Sequence, residues 1–265
     1  MATATDALLA REARERRRLT LWLAAGGTVV AACSAYVGLF DLRRLAEGTP
    51  AVGGLLSEMF PPDFSDARRW VWPLIDTFAM SVSGTALAVA ASLPLALLAA
   101  RNTTPGPLVH VAARGVLNGL RAVPELILGI VLVAAVGFGP LPGVLALGLH
   151  SVGMVGKFFA EAIEHADRAP IEAVRAAGAS PLQVVTHGVL PQVLPRLADT
   201  AIYRWEYNFR ASTVMGMVGA GGIGTELMSS LRLMQYQTVA GLLLVILAMV
   251  TVVDALSSMA RRGFA

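Results

Sequence analysis

The sequence predicts an all-α integral membrane protein with about six spanning helices and both termini in the cytoplasm. Three observations carry that expectation. Hydrophobic residues make up 55% of the 265-residue chain and charged residues only 15%, with mean hydropathy +0.65; ordinary soluble domains carry roughly 25% charged residues. Several stretches of 21 residues or more contain no charge at all. Lys and Arg are also divided unevenly among the segments between those stretches. This balance disfavours a cytosolic enzyme and excludes a disordered chain. Aromatic residues, at 6%, suit lipid-buried helices better than a barrel with aromatic girdles. The single cysteine, Cys33, allows neither an intrachain disulfide nor a cysteine metal site. Net charge +3 and pI near 9.5 do not indicate a nucleic-acid partner, because the basic residues are scattered at segment ends.

A spanning helix needs ~20 mostly apolar residues to cross ~30 Å of hydrocarbon. Residues 19–40 and 77–100 are uncharged over 22 and 24 positions, and residues 233–253 over 21 more. Residues 126–156 lack charge for 31 positions, about 47 Å as one helix and too long for one crossing. Gly137-Phe138-Gly139-Pro140-Leu141-Pro142-Gly143 breaks that run into a tight hairpin, whose first arm then begins near Val116. A glycine-rich segment over about residues 209–230 supplies the remaining span. With the N-terminus inside, the inner segments hold 16 Lys and Arg and the outer ones five, a positive-inside distribution. Arg11, Arg14, Arg16, Arg17 and Arg18 mimic the n-region of a signal peptide. A 22-residue apolar run without a clear cleavage site reads instead as a retained anchor.

The chain divides into residues 1–70, with the basic segment, the first span and an external loop, and residues 71–265, a transmembrane domain. The external loop contains the turn-rich run Phe60-Pro61-Pro62-Asp63-Phe64-Ser65. The longest connection is cytoplasmic, about residues 161–208, and loops of that length usually carry function. Within it Ile171 to Ala177 forms a short helix, and Gly178 suits the left-handed residue that ends one. Ser180-Pro181 restarts the chain as N-cap and first helical residue. Gly188-Val189-Leu190-Pro191 and Pro195 are expected to stop that second helix. The result is a compact elbow projecting from the membrane.

Glu172-Ala173-Val174, Gly178 and Leu190-Pro191 stand at the spacings of the EAA loop of ABC importer permeases, which this sequence therefore resembles. Val174 and Gly188 depart from that pattern, which has Ala and Ile there. The resemblance implies the type I ABC importer architecture and makes Glu172, Ala173, Gly178, Leu190 and Pro191 the residues that couple to an ATPase. It implies further a second permease copy, two ATPase subunits, an extracytoplasmic binding protein and the bacterial cytoplasmic membrane. Phe60-Pro61-Pro62-Asp63-Phe64, Ala135-Val136-Gly137-Phe138-Gly139-Pro140 and Gly188-Val189-Leu190-Pro191-Gln192-Val193 are similar to permeases of phosphonate importers. So are Tyr203 to Arg210 and the block Thr213 to Gly224. The implied cargo is a phosphonate, or phosphate, phosphite or a related phosphorus oxyanion.

Gly219-Ala220-Gly221-Gly222-Ile223-Gly224 satisfies G-x-G-x-x-G, but it sits in a span and lacks the acid about 20 residues on that a dinucleotide site needs. Gly216/Ala220 and Ala220/Gly224 have the small-xxx-small spacing of close helix contacts. By resemblance, Thr213, Gly216, Gly219, Ala220, Gly221 and Gly224 belong to the translocation pathway or the seam of a permease dimer. Arg210, the basic residue closest to this block, joins them because guanidinium matches phosphate-like oxygens. Packing within one subunit is the alternative. No G-x-x-x-x-G-K-[ST] occurs, so the chain carries no cofactor of its own, and ATP with its Mg belongs to the partner ATPase. His110, His150, His165 and His187 have no metal spacing. Arg204, Glu206 and Arg210, at the expected cytoplasmic entry of the fifth span, read either as an ion-pair network or as a vestibule that attracts anions. The same two readings apply to Arg121 and Glu125. An importer of another solute, such as an amino acid, and a membrane-embedded enzyme or assembly factor are the competing functions.

Overall fold

The computed structural model describes residues 2–263, with side chains from residue 11 onward, and no strand occurs among them. The chain separates into two units, Met1–Glu58 and Met59–Ala265. The first holds α1 (Ala2–Tyr36) and α2 (Leu42–Glu58), joined by a turn in which Gly38 has φ +79°. From Arg11 to Tyr36, α1 is long and apolar enough to cross a membrane. Its basic end is stabilised along the helix by Arg16, whose guanidinium meets Glu12 at 2.7 Å. Helix α2 occupies the segment expected to be an irregular external loop, and Arg43 pairs with Glu47 one turn on at 2.9 Å.

In the second unit a 3₁₀ turn, Ala67–Trp70, leads into α3 (Val71–Ala99). There follow α4 (Pro107–Ala122), α5 (Glu125–Val136), α6 (Pro140–Glu164), α7 (Arg168–Ala176) and the single turn α8 (Pro181–Gln183). A π-helical stretch, Val184–Val189, runs directly into α9 (Leu190–Met215), and α10 (Ile223–Arg232) and α11 (Tyr236–Arg262) complete the unit. Ahead of α3, the Asp63 amide donates to the Gln237 carbonyl at 3.0 Å. The Ser65 amide and hydroxyl both donate to the Asp63 carboxylate, which holds that carboxyl below its usual range.

Together α1, α3, α6 and α11 supply four helices able to cross a membrane, and α4 with α5 a bent fifth. Three expectations are corrected here. The third span does not start at Val116 as one helix: α4 and α5 meet at 86° across Val123-Pro124, because the residue before a proline leaves the helical region. The glycine-rich span over residues 209–230 is two helices separated by a turn. Finally, Leu190-Pro191 and Pro195 do not end a helix. The wider π turn before them absorbs the amide lost at Pro191, and α9 continues for 26 residues.

At the centre lies α6, and its small residues let α3 and α4 approach it closely. A Cβ on Gly148 would stand 2.6 Å from Leu87, and one on Gly84 3.1 Å from Leu147. On the other side, a Cβ on Gly153 would stand 2.7 Å from both the Leu117 carbonyl and the Arg121 amide. Lipid supplies no hydrophobic drive for helices to associate, so such close contact is what holds them together. The Ser92 hydroxyl adds a bond to the Val152 carbonyl at 3.1 Å. Gly153→Ala should therefore separate α4 from α6 and destabilise by roughly 1–3 kcal/mol. A thermal melt of the detergent-solubilised protein should show a lowered midpoint, while Gly119→Ala, which meets no atom within 4 Å, should not lower it.

Candidate functional site

The elbow is built from α7, α8 and the π turn. Asp167 caps α7, its carboxylate accepting from the Ala169 amide at 3.1 Å. At the other end Gly178 has φ +82°, the left-handed value expected of it, and its amide donates to the Arg175 carbonyl at 2.9 Å. Ser180 and Gln183 then form a reciprocal capping box that starts α8. Ile171 is the one buried residue of α7 and rests on Gly188, where a Cβ would come within 3.3 Å of the Ile171 backbone. The glycine at a position where the loop pattern has Ile is thus what lets α7 sit flat on the π turn.

Gln192, which the sequence reading passed over, fastens the elbow to α9. Its carbonyl accepts from the Asp167 amide at 2.9 Å while its own amide donates to the Asp167 carbonyl at 3.2 Å. Glu164, at the end of α6, accepts from the Arg101 amide and the Arg114 guanidinium, both at 2.9 Å. Arg114, midway along α4, also donates to the Ala99 carbonyl that ends α3, so two helix ends are tied to α4. A polar cavity of about 520 Å³ lies alongside, lined by Arg101, Glu164, Arg168, Glu172 and Arg175 among others. Glu172 and Ala173 face solvent on the outer side of α7, Pro191 is exposed and Leu190 half-buried. Leu182 at 72% and Leu194 at 60% exposure add an uncovered apolar surface, the feature of a docking site.

The glycine block forms a hairpin, not a helical stripe. Met215 ends α9, Gly216–Val218 is a 3₁₀ turn, and Gly219, Gly221 and Gly222 take φ +93°, +76° and +78° before α10 begins. Gly216 and Gly224 pack backbone to backbone, and Gly224 also lies against the Thr213 carbonyl. Ala220 is fully buried within the protomer, against Gly143 of α6. Thr77 of α3 holds the hairpin, accepting from the Ile223 amide at 2.8 Å while its carbonyl accepts from Ser212 at 3.1 Å. The small-xxx-small spacing therefore reflects crowding of two chain segments in a turn. Arg210 bonds Glu206 at 3.0 Å and Asp254 at 2.9 Å, and Arg261 with Ser257 completes the network on α11.

Arg204 does not join that network. Its position is mid-body, not at the entry of a span, because α9 starts well before it and packs along α3 and α6. Its Nε donates to Ser151 at 2.7 Å; Ser151 donates to Asn208, which donates to Thr85, each at 2.9 Å. Nearby, Glu125 accepts from the Tyr207 hydroxyl at 2.9 Å and meets His150 Nε2 at 3.2 Å. The sequence marks Glu125 and Arg204 as charges near the spans, but does not show that His150 and Tyr207 join Glu125. Among the described residues, no group of three His, Cys, Asp or Glu is placed to hold a metal.

A helical membrane body carrying an exposed two-helix elbow defines a transport permease that works with a separate engine. Residues 92–264 match the family of binding-protein-dependent transport system inner membrane components, and the chain belongs to that family. It is a bacterial inner-membrane transport subunit and not an enzyme, and its family operates with an ATPase and a binding protein. It is 69% identical over 238 residues to the phosphite transport system permease protein PtxC of Stutzerimonas stutzeri, covering 90% of this chain and 86% of that one. Over 229 residues it is 44% identical to the phosphate-import permease protein PhnE of Mycolicibacterium smegmatis, covering 86% of this chain and 43% of that one. The fold is similar to a chain of the MetNI methionine ABC transporter in its inward-facing form, with TM-score 0.61, 23% identity, and coverage of 74% and 95%. If Gln192 fixes the elbow, Gln192→Leu should reduce the ATPase recovered with the purified permease several-fold, at unchanged membrane content. A quantitative pull-down of the two subunits checks this.

Proposed function

We propose that this chain is the permease of an ATP-driven importer for a phosphorus oxyanion: phosphonate, phosphite or phosphate. The exposed elbow, seated without slack on α9 through Ile171, Gly188 and Gln192, is the observation that carries the coupling role. The cargo class rests on the resemblance of the sequence blocks and on relatives that import phosphite and phosphate. Two permease copies surround a central pathway, two ATPase subunits dock on the elbows, and ATP with its Mg ion binds there. A binding protein delivers the anion from outside. Closure of the ATPases on ATP moves the elbows together and opens the pathway outward; hydrolysis resets it inward. Ligand and ATP each bias one two-state element. Thr213 and the glycine block, with Arg210 at its base, flank the pathway or the seam.

Gly178 tests coupling. A Cβ added there would meet no atom within 4 Å, so a substitution acts chiefly through the backbone conformation. A β-branched residue tolerates φ +82° poorly. Gly178→Val should abolish uptake and weaken ATPase attachment while membrane insertion is kept, and charge reversal at Glu172 should act more mildly. Uptake of labelled phosphite and phosphate by the assembled complex measures it, and normal transport in Gly178→Val would refute the elbow assignment.

Topology is tested separately. Counted over six crossings, the division of Lys and Arg, 16 to five, supports both termini lying in the cytoplasm. A reporter fused after Arg262 should be cytoplasmic, and one inserted near Pro61 external. An external C-terminus would overturn the arrangement.

A further inference from the structure

Arg204 is 5% exposed. Its partner Ser151 is the twelfth of the 25 residues of α6, about 17 to 20 Å from either end of that helix. Through Asn208 the chain of bonds reaches Thr85, the fifteenth of 29 residues in α3. Bonds to the middle of α6 and, through Asn208, of α3, two helices able to cross a membrane, thus place the guanidinium near the middle of the body. Charges at that depth are rare, and those that occur are paired or mark a path for an ion or substrate.

The pairing is missing. Among the described residues no carboxylate oxygen comes within 4.0 Å of Arg204. Its plane lies over the Tyr207 ring at 4.2 Å, its Nε is used by Ser151, and its Nη2 is buried without any partner. The nearest carboxylate in the cluster, Glu125, is instead held by Tyr207 and His150. Packing alone would have favoured closing the gap between Glu125 and Arg204, since an uncompensated buried charge is strongly destabilising. A rigidly held guanidinium with a free N–H is what an anion needs; guanidinium matches the tetrahedral oxygens of phosphate-like groups in geometry as well as charge.

Gly129 is the only buried residue of α5, which meets α4 at a sharp bend. Glu125 stands at the first turn of α5 and is its polar tie to α9 and α6. His150 adds a bond from Nδ1 to the Val123 carbonyl at the bend, at 3.0 Å. Release of the Tyr207–Glu125–His150 latch would break the polar tie of α5 to α9 and α6 without disturbing the hydrogen bonds that orient Arg204, leaving α5 held by the apolar contacts of Leu128, Leu132 and Val133.

We propose that Arg204 is an anion-binding residue of the translocation pathway, occluded in this conformation behind the Glu125 latch and offered to a tetrahedral phosphorus oxyanion when α5 moves. This rests on the importer reading above. The ligand's negative charge supplies the missing counter-ion, so the cation is neutralised only in the cargo-bound state. That makes the interaction transient, as passage requires.

The chain's lone cysteine allows a clean test. In a Cys33→Ser background, Arg204→Cys complexes with ATPase and binding protein are reconstituted in liposomes and treated with aminoethyl or methyl methanethiosulfonate. Modification should be slow at rest, faster during ATP turnover, and slowed by phosphite. The cationic adduct should restore uptake of labelled phosphite or phosphate and the neutral adduct should not. Arg204→Gln should lower uptake about 10- to 100-fold, the scale of one lost charge-assisted bond, with ATPase attachment intact. Arg204→Lys should retain part of it. Equal rescue by the neutral adduct, wild-type uptake in Arg204→Gln, or loss of assembly in Arg204→Lys would each overturn the proposal. Failure of the unaltered complex to import phosphite and phosphate would refute the cargo reading instead, because the latter is measured before any substitution is made.

Discussion

The close approach of α6 to its neighbours is the constraint on which the rest of this protein depends. Gly148 and Gly153 bring α3 and α4 within a side chain's width of the α6 backbone. In that tight body Ser151 reaches Arg204 and Asn208 of α9, and Glu164 ties the end of α3 to the middle of α4. Larger residues on α6 would not merely loosen the bundle. They would carry the polar groups of α3 and α9 out of range of one another, leaving buried donors that lipid cannot satisfy.

A second constraint follows from the same medium. Irregular backbone at membrane depth is tolerated only where protein groups satisfy it. The hairpin between α9 and α10 meets that condition with few residues. Thr77 serves both sides of it, and the Gly139 amide donates to the Gly219 carbonyl at 3.2 Å, linking this hairpin to the one that precedes α6. The two breaks in the membrane body are therefore one structure, made from two glycine-rich segments about 80 positions apart in the chain.

What was legible in the sequence was local. Gly178 and the Ser180 cap follow from backbone preferences over a few residues, and the breaker cluster from Gly137 to Gly143 is where α5 ends and α6 begins. The course of α9 was not legible. Its charges and two prolines lower its apparent fitness for a membrane, and the π turn that accommodates Pro191 has no signature in composition. Placing α9 late put Arg204 at an entry when it belongs in the interior. The partners that this network finds on α11 were hidden for a different reason: Asp254 is 44 positions from Arg210, and Arg261 is 55 positions from Glu206. The small-xxx-small pattern misled because spacing records which residues are small, not whether the chain between them stays helical.

Helix α9 has one further consequence. At 26 residues it is about 39 Å long, and no flexible linker separates it from the elbow, since the π turn continues into it and Gln192 bolts the far side. At its other end stand three glycines in left-handed conformations. The helix is therefore continuous with the elbow at one end and meets conformationally permissive backbone at the other. Under the coupling proposed above, a displacement of the elbow would be carried along the α9 axis and take its change of direction at the glycine hairpin.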